Sequence, residues 1–143
     1  MPFRFLEDIA LADIAFEVRE NSLETLFTSA TEALVQTQIE NPKDIQRATQ
    51  LTLTLSHQKI DLLLYRFLQE LIFLKDARHL LLLTDRIEIA QKAGEYELSA
   101  QVSGEALDPE RHEQRVDVKA VTLHRLEVVP TQDGWKATVV LDI

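Results

Sequence analysis

The chain contains no cysteine. Disulfide bonds, thiolate zinc sites and cysteine nucleophiles are therefore excluded. Glycine occurs three times and proline four times, and neither clusters into a linker. One domain spanning residues 1–143 is the predicted organisation. Long apolar runs are also missing. Runs such as Leu80-Leu81-Leu82-Leu83, which none exceeds in length, fall far short of the roughly 20 residues that cross a bilayer. The opening Met1-Pro2-Phe3-Arg4-Phe5 has no secretory-signal pattern, so a soluble cytoplasmic protein is expected, with no membrane partner. Positive charge is scarce as well: 15 Lys and Arg stand against 24 Asp and Glu, giving a net charge of −9. Gripping a phosphate backbone needs clustered Lys and Arg, so little or no direct nucleic-acid binding is expected. Cations or a basic protein surface are the partners such a charge balance favours.

The common catalytic devices are missing too. There is no HExxH, no GxSxG, no P-loop and no GxGxxG. The four histidines, His57, His79, His112 and His124, include no pair at the i,i+4 helical spacing of a zinc site, and they are read as surface residues without a role.

What is present is periodicity. Residues 3–6 and 14–18 read as short strands. Asn21, with Glu24 three residues later, offers a helix cap. Leu23, Leu26, Phe27, Ala30, Ala33 and Leu34 then follow at helical spacing until Asn41-Pro42. Leu51, Leu53 and Leu55 alternate with Thr52, Thr54 and Ser56, the mark of a half-buried strand. A second helix should begin near residues 59–61. Its wide apolar stripe, from Leu63 to Leu74, predicts a central helix packed on more than one side. Beyond it the pattern is that of sheet. A strand over residues 81–90 meets a turn at Ala93-Gly94 and a second alternating strand from Tyr96. A polar segment over 104–115 follows, with strand-like stretches at 116–123 and 126–129. Asp133-Gly134 is a hairpin signal, leading to a last strand with Trp135, Ala137, Val139 and Leu141 on one face. The fold class expected is α+β, with two helices packed on a largely antiparallel β-sheet.

With histidine and cysteine chemistry set aside, carboxylates remain. Asp13 stands at the entry to an apolar strand, where it either terminates the strand or serves a site. Asp142 is followed directly by the α-carboxylate of Ile143. Two such charges repel unless a cation or basic group lies between them, and hard oxygen ligands suit calcium or magnesium rather than zinc. A solvated chain end is the alternative reading. Lys119 shares a strand face with Asp117 and Val121. It is either a solvated partner of Asp117 or a fixed cation near a carboxylate or phosphate site.

Several stretches resemble the archease family. They are Phe3-Arg4-Phe5-Leu6-Glu7 followed by Ala12-Asp13-Ile14-Ala15-Phe16, then Ser22-Leu23-Glu24-Thr25-Leu26-Phe27, and then Asp61-Leu62-Leu63-Leu64-Tyr65-Arg66-Phe67-Leu68-Gln69-Glu70-Leu71. Gly104-Glu105, His112 and Val118-Lys119-Ala120-Val121-Thr122 continue the likeness, and the chain closes on Val140-Leu141-Asp142-Ile143. The resemblance spans the whole chain in the right order. It implies an α+β archease domain and a non-enzymatic activator of a GTP-dependent tRNA-splicing RNA ligase, acting in ligase guanylylation and turnover. It also implies a divalent cation (calcium or magnesium, with manganese a third candidate) held by Asp13, Asp142 and Ile143. Lys119 corresponds to the family's functional lysine and is expected to contact the partner. Two departures stand out. Ala10-Leu11 replaces the family's His-Thr before the aspartate, and the spacing from Glu7 to Asp13 is two residues longer. A general chaperone or interaction module is the competing reading, and a metal-dependent hydrolase is a third.

Overall fold

The computed structural model describes residues 2–6 and 13–143. Glu7, Ala10, Leu11 and Ala12, which figure in the family resemblance, lie outside the described residues. Among these residues, eight strands and two α-helices follow one another as β1 (Phe3–Leu6), β2 (Asp13–Glu20), α1 (Leu23–Gln38), β3 (Thr49–His57), α2 (Ile60–Arg78), β4 (Leu80–Lys92), β5 (Glu95–Ala106), β6 (Ala120–Val121), β7 (Glu127–Thr131) and β8 (Gly134–Asp142). A short 3₁₀ turn, Pro42–Asp44, joins α1 to β3. The strands form two antiparallel sheets. One runs β1-β2-β8-β6 with β7 also on β8; the other runs β3-β5-β4. The α+β class read from the sequence is what the chain adopts.

Both helices lie against both sheets. α1 packs on β1, β2 and β8 of the first sheet and on β4 of the second. α2 packs on β3, β4 and β5 of the second and on β6 and β7 of the first. The wide apolar stripe of α2 is explained by this double duty: Leu63, Leu64, Phe67, Leu68 and Ile72 are all buried. Phe27 of α1 stacks on Phe67 of α2, with ring centroids 6.0 Å apart, at the centre of the core.

Local signals hold with shifts in boundary. β3 alternates half-buried and exposed along its whole length, as the Leu/Thr pattern requires. The Asp133-Gly134 signal closes the β7–β8 hairpin. There Gly134 comes so near β2 that an added Cβ would lie 2.3 Å from the Glu20 carbonyl oxygen. α1 is capped by Ser22, whose hydroxyl accepts from the Thr25 amide at 3.1 Å; Asn21 instead accepts from the Thr25 hydroxyl. Glu24, freed from a capping box, reaches across to the Ile89 amide on β4. β5 continues through Gly104 to Ala106, because the β4–β5 ladder extends to Leu80↔Ala106. A side chain at position 104 is sterically forbidden, since its Cβ would sit 1.7 Å from the Leu81 carbonyl oxygen. The strand expected at 116–123 shrinks to Ala120–Val121, the two residues that pair in a ladder with β8, flanked by single backbone hydrogen bonds from Lys119 and Thr122.

One histidine is not a surface residue. The side chain of His112 is fully buried. Its Nδ1 accepts from the Asp108 amide at 2.9 Å, which places the ring proton on Nε2, 3.2 Å from Glu105 Oε2. Glu105 also pairs with Arg111 and accepts from the Gln46 amide, so the loop after β5 is pinned to the segment before β3. Burial, aided by the neighbouring Arg111 guanidinium, holds the imidazole below its ordinary pKa of 6.5 against the opposing pull of Asp108 and Asp44. The folded chain thus refuses a proton that the unfolded chain accepts. His112 contributes stability that is full above the ordinary imidazole range and is lost as pH falls through it. Urea unfolding at pH 7.5 and pH 5 should show a pH-dependent loss in the wild type that is reduced in His112→Gln. An unchanged pH dependence in that variant would remove His112 as its source.

Candidate metal and partner site

The candidate carboxylates lie far apart in sequence and meet through sheet pairing. β2 and β8 run antiparallel in a register that sets Asp13 directly opposite Asp142, followed by Ile14↔Leu141, Ala15↔Val140 and Phe16↔Val139. Paired side chains in such a ladder share a face, with Cβ atoms about 4.5–5.5 Å apart. Both aspartates are half-buried. Directly opposed like charges destabilise a ladder, so this end of the sheet is a place where a cation would be favoured. Ile143 packs its side chain against the core just beyond Asp142, which anchors the backbone there. Among the described residues, no group of three or more His, Cys, Asp or Glu side chains converges into a ligand set. A cation here would take two carboxylates, with Ile143 supplying a main-chain oxygen. That all-oxygen set is chemically suited to a hard divalent ion.

Lys119 is brought to the same place by its backbone. Its amide donates to the Asp142 carbonyl at 2.8 Å, and the following residue, Ala120, is the β6 partner of Asp142. The Lys119 side chain is exposed. Asp117 is not its ion-pair partner: that carboxylate is taken by Lys75 of α2 at 2.5 Å.

Lys75 is a residue the sequence reading passed over. It is buried, and its ammonium also donates to the Val118 carbonyl at 2.8 Å. Six residues earlier on α2, Gln69 Oε1 accepts from the Val121 amide at 2.9 Å. Two polar side chains of the central helix therefore grip the segment carrying Lys119 from either side. A signal was available: Lys75 falls three and four residues after Ile72 and Leu71, on the buried stripe of α2, where a lysine needs a partner.

The comparisons with known proteins agree with this architecture. The Archease protein family (MTH1598/TM1083) model matches residues 3–143. The chain belongs to the archease family. Protein archease of Pyrococcus furiosus is 35% identical over 133 residues, covering 92% of this chain and 93% of that one. Protein archease of Methanosarcina acetivorans is 35% identical over 142 residues, covering 99% and 95%. Among solved structures, the solution structure of protein 1598 of Methanobacterium thermoautotrophicum superposes with a TM-score of 0.84 at 29% identity, covering 99% of both chains. The crystal structure of an archease, possible chaperone, from Thermotoga maritima shares the fold, with a TM-score of 0.61 at 20% identity and 98% coverage of both. The archease resemblance read from the sequence is therefore shown, and the archease relatives are named as proteins rather than as enzymes. No helix of the described residues is long and apolar enough to cross a membrane.

Replacing Lys75 with Met keeps its hydrophobic stem but orphans the Val118 carbonyl. The exposed Asp117 carboxylate rehydrates without a partner, so the expected loss is about 1–3 kcal/mol in urea unfolding. Amide exchange at Lys119 and Val121 should accelerate in the same variant. Unchanged exchange there would mean that the grip of α2 does not order the segment.

Proposed function

We propose that this archease is a non-enzymatic activator of a GTP-dependent tRNA-splicing RNA ligase, and that it acts through a divalent cation at the Asp13–Asp142 end of the first sheet. The observation that carries the reading is the β2–β8 register, which opposes those two carboxylates beside Ile143 and the Lys119 backbone. When bound, the cation supplies charge stabilisation for phosphoryl chemistry. Asp13, Asp142 and Ile143 hold it. Lys119, exposed and anchored by its own amide, contacts the ligase or its nucleotide. The partner binds the RNA, which accords with a net charge of −9 on this chain. A cytoplasmic location follows from the same role.

A general chaperone is the second reading, and it would act through exposed apolar side chains. Among the described residues, Phe5, Phe73 and Leu123 are the exposed large apolar side chains, and they lie apart in the chain, on β1, on α2 and in the β6–β7 loop. Holdase activity towards unrelated proteins, unaffected by changes at Asp142, would favour it.

Two measurements test the metal site. Guanylylation and multiple-turnover joining by the cognate ligase should rise with the wild type and return to the unassisted level, a loss of tenfold or more, with Asp13→Ala or Asp142→Ala. Stimulation by Asp142→Ala equal to that of the wild type would remove the metal site from the mechanism. In chelator-treated buffer, Asp142→Ala should be as stable as the wild type or more so by about 0.2–1 kcal/mol, because one of two opposed charges is gone. Added calcium should raise the melting temperature of the wild type alone.

A further inference from the structure

The same sheet that opposes Asp13 and Asp142 carries a cluster of the opposite sign. Side chains alternate between faces along a strand. Asp13 and Glu17 of β2 therefore share a face with Asp142 and Lys136 of β8. Towards the other end of that face, Arg4, Glu17, Arg19, Arg125, Glu127 and Lys136 line one shallow depression. Four cations there meet two carboxylates, an excess of two positive charges on a chain whose net charge is −9.

Glu17 organises the cluster. Its side chain is only 7% exposed, and two guanidiniums hold it. Arg4 reaches one carboxylate oxygen with Nε at 2.7 Å and with a terminal nitrogen at 2.7 Å. Arg19 reaches the other at 3.0 Å and 2.9 Å in the same manner. Burial would raise the carboxyl pKa, but the hydrogen bonds and charges of the two arginines prevail and hold it below its ordinary value, so Glu17 stays ionised. Each arginine spends one edge on Glu17, while its side chain remains 73% or 63% exposed. The remaining edges are thus fixed in direction and open to water. A guanidinium oriented in this way binds an external carboxylate at a reduced entropic cost. Lys136 is partnered by Glu127 at 3.3 Å, and Arg125 is exposed and makes no ion pair among the described residues.

We propose that this depression docks an acidic segment of the protein partner and thereby sets the orientation in which the Asp13–Asp142 end meets it. The proposal rests on the ligase reading above. Asp13 and Glu17 are four residues apart on one strand, and Asp142 and Lys136 are six apart on its neighbour. The acidic and basic ends are therefore separated by about 13–20 Å at 3.3 Å per residue. A face with a fixed negative end and a fixed positive end admits a charge-complementary partner in one direction only. A nucleic acid fits poorly. A phosphodiester strand continues beyond one or two contacts, and along these strands it would run onto Asp13 and Asp142.

The test uses the intact chain, fluorescently labelled and titrated with the cognate ligase at 50 and 300 mM KCl. The variants are Arg125→Glu, which disturbs no internal pair, and Arg19→Gln, which leaves Arg4 on Glu17. Thermal melts establish that both fold. Arg125→Glu should weaken binding at least tenfold at 50 mM KCl and distinctly less at 300 mM, and Arg19→Gln should weaken it about three- to tenfold. Wild-type binding with undiminished affinity in both folded variants overturns the docking depression and leaves the ligase reading standing. Absence of binding by the wild type overturns the ligase reading and this proposal together. A 20-nucleotide RNA bound by the wild type alone and released by Arg125→Glu overturns the assignment to an acidic protein segment.

Discussion

The pairing of β2 with β8 is the constraint on which the rest depends. Its register runs unbroken from Asp13↔Asp142 to Glu20↔Trp135. On the inner face it buries Phe16, Val18, Ala137, Val139 and Leu141 in the core. The same register sets everything on the outer face, from the opposed carboxylates to the arginine-held Glu17. A slip of one residue would exchange the faces, driving Glu17 into the core and Phe16 into water. The apolar burial that stabilises the domain therefore also holds its charged groups in place. No separate stabilisation of the site is needed.

The helices do the remaining positioning. α2 is mostly an apolar core helix, yet Lys75 and Gln69 project from it onto the backbone of residues 118 and 121. A buried ammonium such as that of Lys75 costs stability unless it is satisfied, and here it is; Gln69 is half-buried and also finds a backbone partner. Their effect is directional. The segment between β5 and β7 has only two residues of regular strand, so these contacts and the Lys119–Asp142 hydrogen bond give it its path. The buried His112 does the equivalent work nearer the start of the same segment.

Much of this was legible in the sequence where the signal was local. Leu/Thr alternation gave β3, helical spacing gave both helices, and Asp-Gly gave the last hairpin. The boundaries moved where a neighbour decided them. β5 runs on to Ala106 because β4 pairs with it that far, and of the stretch at 116–123 only Ala120 and Val121 form ladder pairs with β8, whose residues 134–138 are taken by β7. Asp13 and Asp142 could each be named, but their meeting is a property of strand pairing, and only the family resemblance connected them beforehand. The histidines misled for the same reason. Nothing in the residues around His112 says that Glu105 and the Asp108 amide will enclose it.

β8 is the last strand, and it lies inside the first sheet, between β2 and the β6–β7 side. The residues it pairs with on β2 lie 115–129 positions earlier in the chain. During synthesis, at roughly 5–20 residues per second, β1 and β2 therefore wait on the order of ten seconds for the strand that completes their sheet. Meanwhile the apolar face of β2, with Phe16 and Val18, has only α1 and the β1 hairpin to cover it. The second sheet, built from β3, β4 and β5, has all its strands well before then. All strands of the second sheet are thus made before the first sheet can be completed, and the Asp13–Asp142 pair can form only once β8 is available.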